Sequence, residues 1–320
     1  MDLSQRIDPV LDVARESARE VDATASFPAE TVTALRKSGL LGLTLPTEVG
    51  GLGGAPQDLV NVMSELAGAC GSSAMIYLMH ISAAMSVAVA PPPGLPDLLP
   101  GMASGDKLGS LAFSEAGSRS HFWAPVSQAQ NNNGSGQRLN ARKSWVTSAG
   151  QADVYVVSTL TADADTVDIF AVPADTDGIT VDGEWHGLGL RGNASSPMTF
   201  GTDLPEDHRL GAVGSGFDLM MSTVMPWFNL GNASVSVGLS QAAVDAAVWH
   251  TSAAKFGASR PEPVRAAHHP RTAGQDVDRP GVHASLRRKG SRTPGRTGRG
   301  HPATCARRQG CGQRCRATDH

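Results

Sequence analysis

The chain has 320 residues, enough for two domains or for one large domain with an extension. Its net charge of −3 averages two unlike parts, because from Gly257 onward 13 Arg and 1 Lys face only 4 acidic residues. That segment contains no Ile, Met, Phe, Trp or Tyr, which excludes a packed core, so residues 257–320 are expected to be a disordered basic tail. In the first 256 residues Cys70 stands alone, which excludes a disulfide framework, and the N-terminus lacks the layout of a signal peptide. Both features point to the cytoplasm.

In chain order, residues 1–105 read as helical. Asp8-Pro9 predicts a helix start, with Val10, Leu11, Ala14, Ala18 and Val21 at helical spacing. A second helix opens at Pro28, presents Val32 and Leu35, and closes at Gly39 with Leu40 behind it. Leu45 to Gly54 is a loop, since four glycines and a proline forbid regular structure. Gln57 to Ala69 is amphipathic through Leu59, Val60, Met63 and Leu66. Ser72 to Ala90 carries no charge but is rich in Ala and Ser and contains His80, which favours a buried helix over a membrane span.

Residues 106–212 change to alternating patterns: Ser110–Ser114, Asp153–Thr159, Asp168–Pro173 and Gly178–Val181 are short β-type runs, with a hairpin tip at Asn131 to Gly134. Helical spacing returns over residues 213–256, interrupted near Pro226, and collapses at Gly257. The expected class is α+β, with function where the helical and β parts meet.

Four segments in this order resemble the acyl-CoA dehydrogenase family. Leu45 to Gly53 is similar to its Pro-x-x-x-Gly-Gly-x-Gly turn. Ala112-Phe113-Ser114-Glu115 with Gly117 and Ser120 resembles the Thr-Glu-Pro-x-x-Gly-Ser-Asp flavin motif. Leu139 to Ser148, followed by Ala152-Asp153, resembles Gly-x-Lys-x-Trp-Ile-Thr, and Gly187 to Arg191 and Val237 to Gln241 match later family segments. The resemblance implies an N-terminal helical domain, a small β-domain, a C-terminal helical bundle present only in part, and FAD as cofactor. The implied reaction is α,β-dehydrogenation of an acyl-CoA, with hydride passing to the flavin and electrons onward to an acceptor flavoprotein.

By the same resemblance, the backbone from Leu111 through Phe113 to Ser114 lines the flavin's pyrimidine edge, with the Ser114 hydroxyl as a further donor. Trp145 packs on the isoalloxazine, Thr147 bonds near N5, and Ser120 approaches the pyrophosphate. Read without the resemblance, Trp145 is an ordinary interior aromatic and Thr147 an ordinary strand residue. His80 and His121 read as structural or surface groups, and no metal site is expected.

The chain also departs from the family pattern. Ala116 stands for the motif's proline, Arg119 for its glycine, His121 for its aspartate, and Asn229 where an Arg is common. The Phe256-Gly257 pair lacks the Arg that usually precedes it. The region that carries the family's glutamate base is missing, and Glu262 lies between two prolines, so no catalytic residue is assigned and the chain as written is expected to be inactive. An out-of-frame translation is the first reading of the tail. A nucleic-acid-binding segment follows, weakened by the lack of stacking aromatics, and then a metal site at Cys305, Cys311 and Cys315 with His301 or His320. The family's homo-oligomer is in question for this chain, and neither a membrane nor a nucleic acid is an expected partner. A flavin-dependent monooxygenase of the same fold, or a non-catalytic remnant, is the alternative.

Overall fold

The computed structural model of the chain describes residues 3–253, apart from 120, 133–135 and 164. The expectations placed on Ser120, on Glu262 and on the rest of residues 257–320 lie outside the described residues.

Helices α1 (Leu3–Thr24), α2 (Ala29–Ser38) and α3 (Pro56–Ala69) share one apolar core, in which Val10, Leu35, Leu59, Met63 and Leu66 are buried. Helix α1 begins at Leu3, five residues before the start predicted at Asp8, and Pro9 lies inside it. A proline so near the helix start removes a single donor, and burial of Ile7, Val10 and Leu11 around it outweighs that loss. Helix α2 ends as the sequence predicts. Gly39 takes φ 75°, its N–H bonds the Arg36 carbonyl at 3.2 Å, and Leu40 behind it is fully buried.

Helix α4 (Gly71–Val89) is the hub of the molecule, touching α3 on one side and the first strand on another. It is long and apolar enough to cross a membrane, but 72% of its apolar window is buried inside the protein, which makes it a core helix. A short α5 (Leu98–Ser104) leads into the β region.

Among the described residues, seven strands form two sheets. β1 (Gly109–Ala112), β4 (Val154–Leu160) and β5 (Val167–Pro173) make one sheet in the order β1-β4-β5, with β1 and β4 parallel. The other holds β2 (Gln130–Asn132), β3 (Gly136–Val146), β7 (Ser196–Pro205) and β6 (Ile179–Val181), ordered β2-β3-β7-β6 and antiparallel throughout. Leu139, Ala141, Met198 and Phe200 of the second sheet meet Tyr155, Val157 and Phe170 of the first in one core. The opposite face of the first sheet packs Val154, Val156 and Ile169 against Ala83, Ala84 and Val87 of α4. β4 and β5 are thus buried on both faces, which is why they read as unbroken apolar runs.

Helix α6 (Gly216–Leu219) passes through a π turn at Met220–Val224 into α7 (Met225–Ala253). The helical ladder loosens before Pro226, which cannot donate to it. Along α7, Gly231, Ser234, Val235 and Gly238 are buried, and a Cβ on Gly238 would stand 2.1 Å from the Ser64 carbonyl oxygen of α3. The backbones of α3 and α7 therefore touch directly. Past Gly238 the helix exposes Leu239, Val244, Val248 and Trp249.

Candidate functional site

Beyond β1 the chain runs through Phe113 and Ser114 to Glu115, which forms an isolated antiparallel bridge with Lys143 of β3. The Ser144 N–H bonds the Ser114 carbonyl at 2.8 Å. The β3–β7 register shifts between Lys143 and Val146, and this irregularity decides where three side chains go. Lys143 and Val146 both turn inward and are fully buried, while Trp145 is thrown onto the outer face with 60% of its surface exposed. Strict alternation would put Lys143 and Trp145 on one face and Val146 on the other, so Lys143 and Val146 could not both be buried with Trp145 outside.

Trp145, Leu111, Phe113 and Ser114 border one cleft of about 170 Å³. Its remaining walls come from Met79 of α4, Phe122, and Val224 and Phe228, which lie four residues apart where the π turn runs into α7. Four of the six residues assigned to the cofactor from sequence, Leu111 and Phe113 through their backbone, thus border one cleft. Thr147 is not among those lining the cleft: it is buried, its hydroxyl pairs with Ser195 Oγ at 2.9 Å, and its carbonyl accepts from Ser110 Oγ at 2.5 Å.

Beneath the cleft wall lies a group to which the sequence reading gave no role. Lys143 Nζ donates to Glu115 Oε1 at 2.5 Å and to the Ser158 carbonyl at 2.6 Å, and it lies 3.4 Å from the Phe113 carbonyl. Glu115 Oε2 accepts the Val126 and Ser127 N–H groups at 2.9 and 2.7 Å, and Ser127 Oγ reaches Oε1 at 2.6 Å. Burial alone would raise the Glu115 carboxyl, but the Lys143 charge and these donors hold it below the ordinary carboxylate value. The pair ties the segment carrying Phe113 and Ser114 to β3 and β4, so it positions the cleft without entering it.

The motif's departures acquire a structural meaning here. Arg119 has φ 52°, a left-handed conformation that glycine adopts without strain, and its side chain is exposed. The cation faces solvent. Arg119→Gly is expected to stabilise the chain by about 1 kcal/mol, read as a higher urea midpoint. His121 is exposed as well, with its ring 4.9 Å from that of Trp123. His80 is wholly buried between the Leu41 carbonyl and the Gly109 N–H, as a structural histidine would be. Among the described residues no cluster of three or more His, Cys, Asp or Glu side chains could hold a metal.

Two sequence profiles of one family match in tandem: the acyl-CoA dehydrogenase N-terminal domain over residues 10–106 and the acyl-CoA dehydrogenase middle domain over residues 110–202. The chain belongs to the acyl-CoA dehydrogenase family. Among its relatives, the probable acyl-CoA dehydrogenase YngJ of Bacillus subtilis is 29% identical over 253 residues, covering 75% of this chain and 65% of that protein. The human mitochondrial short-chain specific acyl-CoA dehydrogenase is 31% identical over 237 residues, covering 72% of this chain and 57% of that protein. This acyl-CoA dehydrogenase family member therefore spans under two thirds of the length of those relatives. Its fold is similar to butyryl-CoA dehydrogenase from Megasphaera elsdenii, with a TM-score of 0.73 at 20% identity over 91% of this chain and 77% of that one. KijD3, solved with FMN and a dTDP-linked amino-keto sugar, is similar with a TM-score of 0.67 at 28% identity, over 83% of this chain and 65% of that one. The family order of helical domain, β-domain and C-terminal helical part is the order seen here.

Proposed function

We propose that this chain binds FAD and a short acyl-CoA thioester at the cleft under Trp145, and derives from an enzyme that desaturates the acyl chain between its α and β carbons. The observation that carries the reading is the meeting of Leu111, Phe113, Ser114 and Trp145, drawn from two separate family motifs, on one apolar cleft. The donor set suits a flavin: an exposed indole to cover a flat ring, a hydroxyl at the edge, and dry aromatic and aliphatic walls. FAD, when bound, supplies the hydride acceptor. Trp145 excludes water from one side of the ring, Ser114 orients its polar edge, and Met79, Val224 and Phe228 receive the acyl chain. Thr147 stands two residues beyond Trp145, and the reading places it near N5 once its hydroxyl exchanges Ser195 for the flavin. A cytoplasmic location and an electron-transferring flavoprotein as acceptor belong to the same reading.

Among the described residues, no side chain lining the cleft is a carboxylate or an imidazole, so none of these can take the α-proton. The full chain is therefore expected to bind without turning over. Purified with added FAD under anaerobic conditions, it should keep stoichiometric flavin, and butyryl-CoA should neither bleach that flavin nor reduce a dye. Trp145→Ala should weaken FAD retention on the order of tenfold. Loss of flavin from the wild type on gel filtration would sink the flavin assignment, whereas dye reduction dependent on butyryl-CoA would sink the missing base.

A second reading, a flavin-dependent monooxygenase, rests on Asn229 at the position where the family commonly has an Arg. Oxygen uptake with externally supplied reduced flavin, and none with acyl-CoA, distinguishes it.

A further inference from the structure

Trp145 covers the cleft, yet little holds its own side chain. Its surface is 60% exposed, and its indole N–H makes no hydrogen bond among the described residues. The ring borders the cleft beside Phe113 and also borders a second groove beside Asn140, Arg142 and Pro197. It thus stands between two open spaces, and neither stops it from turning. Among the described residues its one aromatic contact is with Trp185, edge-on, at 5.7 Å between centroids and 74° between planes.

Trp185 is fixed where Trp145 is not. It lies half-buried in the loop between β6 and β7, and its Nε1–H donates to the Leu190 carbonyl at 2.9 Å. The ring folds back over Gly187, where a Cβ would stand 2.5 Å from Trp185 Cζ2 and 2.6 Å from the Gly189 carbonyl oxygen, so only glycine leaves room there. Three hydrogen bonds tie down the far end of the loop. The Gly192 N–H bonds Ser72 Oγ of α4 at 3.1 Å, and the Ser148 and Ala149 N–H groups, just past β3, bond the Asn193 and Ala194 carbonyls at 2.9 and 3.0 Å. Leu190 itself lies against Gly71, the first residue of α4. The loop therefore carries an anchored ring to Trp145, and Trp185 is not among the residues lining the cleft.

We infer that Trp185 is a positioning residue for Trp145, a brace that holds the indole over the cleft from outside it. An exposed aromatic side chain gives up rotamer freedom when a ligand immobilises it. Edge-to-face contact with a ring that is already fixed removes that loss before the ligand arrives and adds an attraction of its own. The inference rests on the flavin reading for what the indole covers. For the brace itself it rests only on the two indoles and the loop.

The test uses the full chain and titrates FAD, followed by the quenching of flavin fluorescence. Trp185→Ala should weaken binding about two- to tenfold, the change that one aromatic pair converts to. Trp185→Phe, which keeps a ring, should restore most of it. In a Trp145→Ala background the Trp185→Ala change should have no further effect, because a brace acts only through what it braces. A second measurement needs no flavin: fluorine NMR of the fluorotryptophan-labelled chain, with the Trp145 line identified by its loss in Trp145→Phe. That line should shift and broaden in Trp185→Ala. It should do the same in Gly187→Ala, which keeps both indoles but closes the space under Trp185 and carries the test should Trp185→Ala fold poorly. A Trp145 line unmoved in both variants overturns the brace. So does an equal loss of FAD affinity with and without Trp145, which a merely structural loop would give. A line that moves while FAD affinity stays unchanged in every variant overturns the positioning role. If the wild type binds no FAD but the Trp145 line still responds, the flavin reading fails and the brace stands.

Discussion

Lys143→Met is expected to lower the unfolding free energy by about 3–5 kcal/mol, the cost of leaving one charge of a buried pair without its partner. The ammonium has no exposure and the Glu115 side chain has 4%. Methionine fills the volume but offers no proton to Glu115, the Ser158 carbonyl or the Phe113 carbonyl. Glu115 then keeps its Val126 and Ser127 donors but loses the cation that offsets its burial. Glu115→Gln should also be costly, because its amide nitrogen would face a donor wherever it turned, Lys143 on one side and backbone N–H groups on the other. Urea unfolding of both single variants and the double variant closes the cycle, and the double should cost clearly less than the sum. A loss below about 1 kcal/mol for Lys143→Met would show that the pair is not charged as drawn. The pH response has a definite sign. A carboxyl held below its ordinary value stabilises the fold above that value, and the contribution drains away as pH falls through the folded value. Without Lys143 the folded value rises, so the drain ends at higher pH and its total is smaller.

Much of this arrangement is legible in the sequence, for reasons that particular residues show. α2 is bracketed by Pro28 and Gly39, and the double-sided burial of β4 and β5 leaves runs such as Val154 to Val157 that announce a strand. β7 carried the same kind of signal, with Met198, Phe200, Thr202 and Leu204 buried at every second position. It was masked by Pro197, Gly201 and Pro205, which read as turn punctuation but here fall on the strand's less buried face. The cleft divides in the same way. Leu111, Phe113, Ser114 and Trp145 were found because motifs spell them. Met79, Phe122, Val224 and Phe228 were not, because nothing local in α4, the loop, the π turn or α7 marks which other element a residue will face. The Glu115–Lys143 pair lies 28 residues apart, and its chemistry becomes visible only when the bridge between the strands puts the two side chains together. Local periodicity reports which face of an element is buried. It does not report what the face meets.

His80 provides the second large effect, and it is a matter of which proton is where. Its Nε2 lies 3.1 Å from the Leu41 carbonyl, so Nε2 must carry the proton, and Nδ1 accepts the Gly109 N–H at 3.0 Å. One neutral ring therefore joins α4 to the turn after α2 and to the first residue of β1. A second proton on Nδ1 would point at the Gly109 N–H. Burial lowers the ring's pKa from 6.5 to about 4, with the Arg36 cation adding to that effect and the Leu41 bond and Asp153 opposing it. The folded state refuses a proton that the unfolded chain accepts, so stability is full above about pH 6.5 and is lost as pH falls toward 4. The full loss is about 3 kcal/mol, since each pKa unit is worth about 1.4. His80→Gln cannot titrate, and its amide can meet only part of the geometry, so it should be less stable than the wild type at pH 7.5 by about 1–3 kcal/mol. That gap should then shrink, and can invert, by pH 4.5. Urea midpoints for the two proteins across this range isolate His80 from the other nine histidines of the chain, because their contributions cancel in the difference. A gap that stays constant with pH would mean that the ring is protonated in the folded protein, and the joint between the helices and β1 would need another donor scheme.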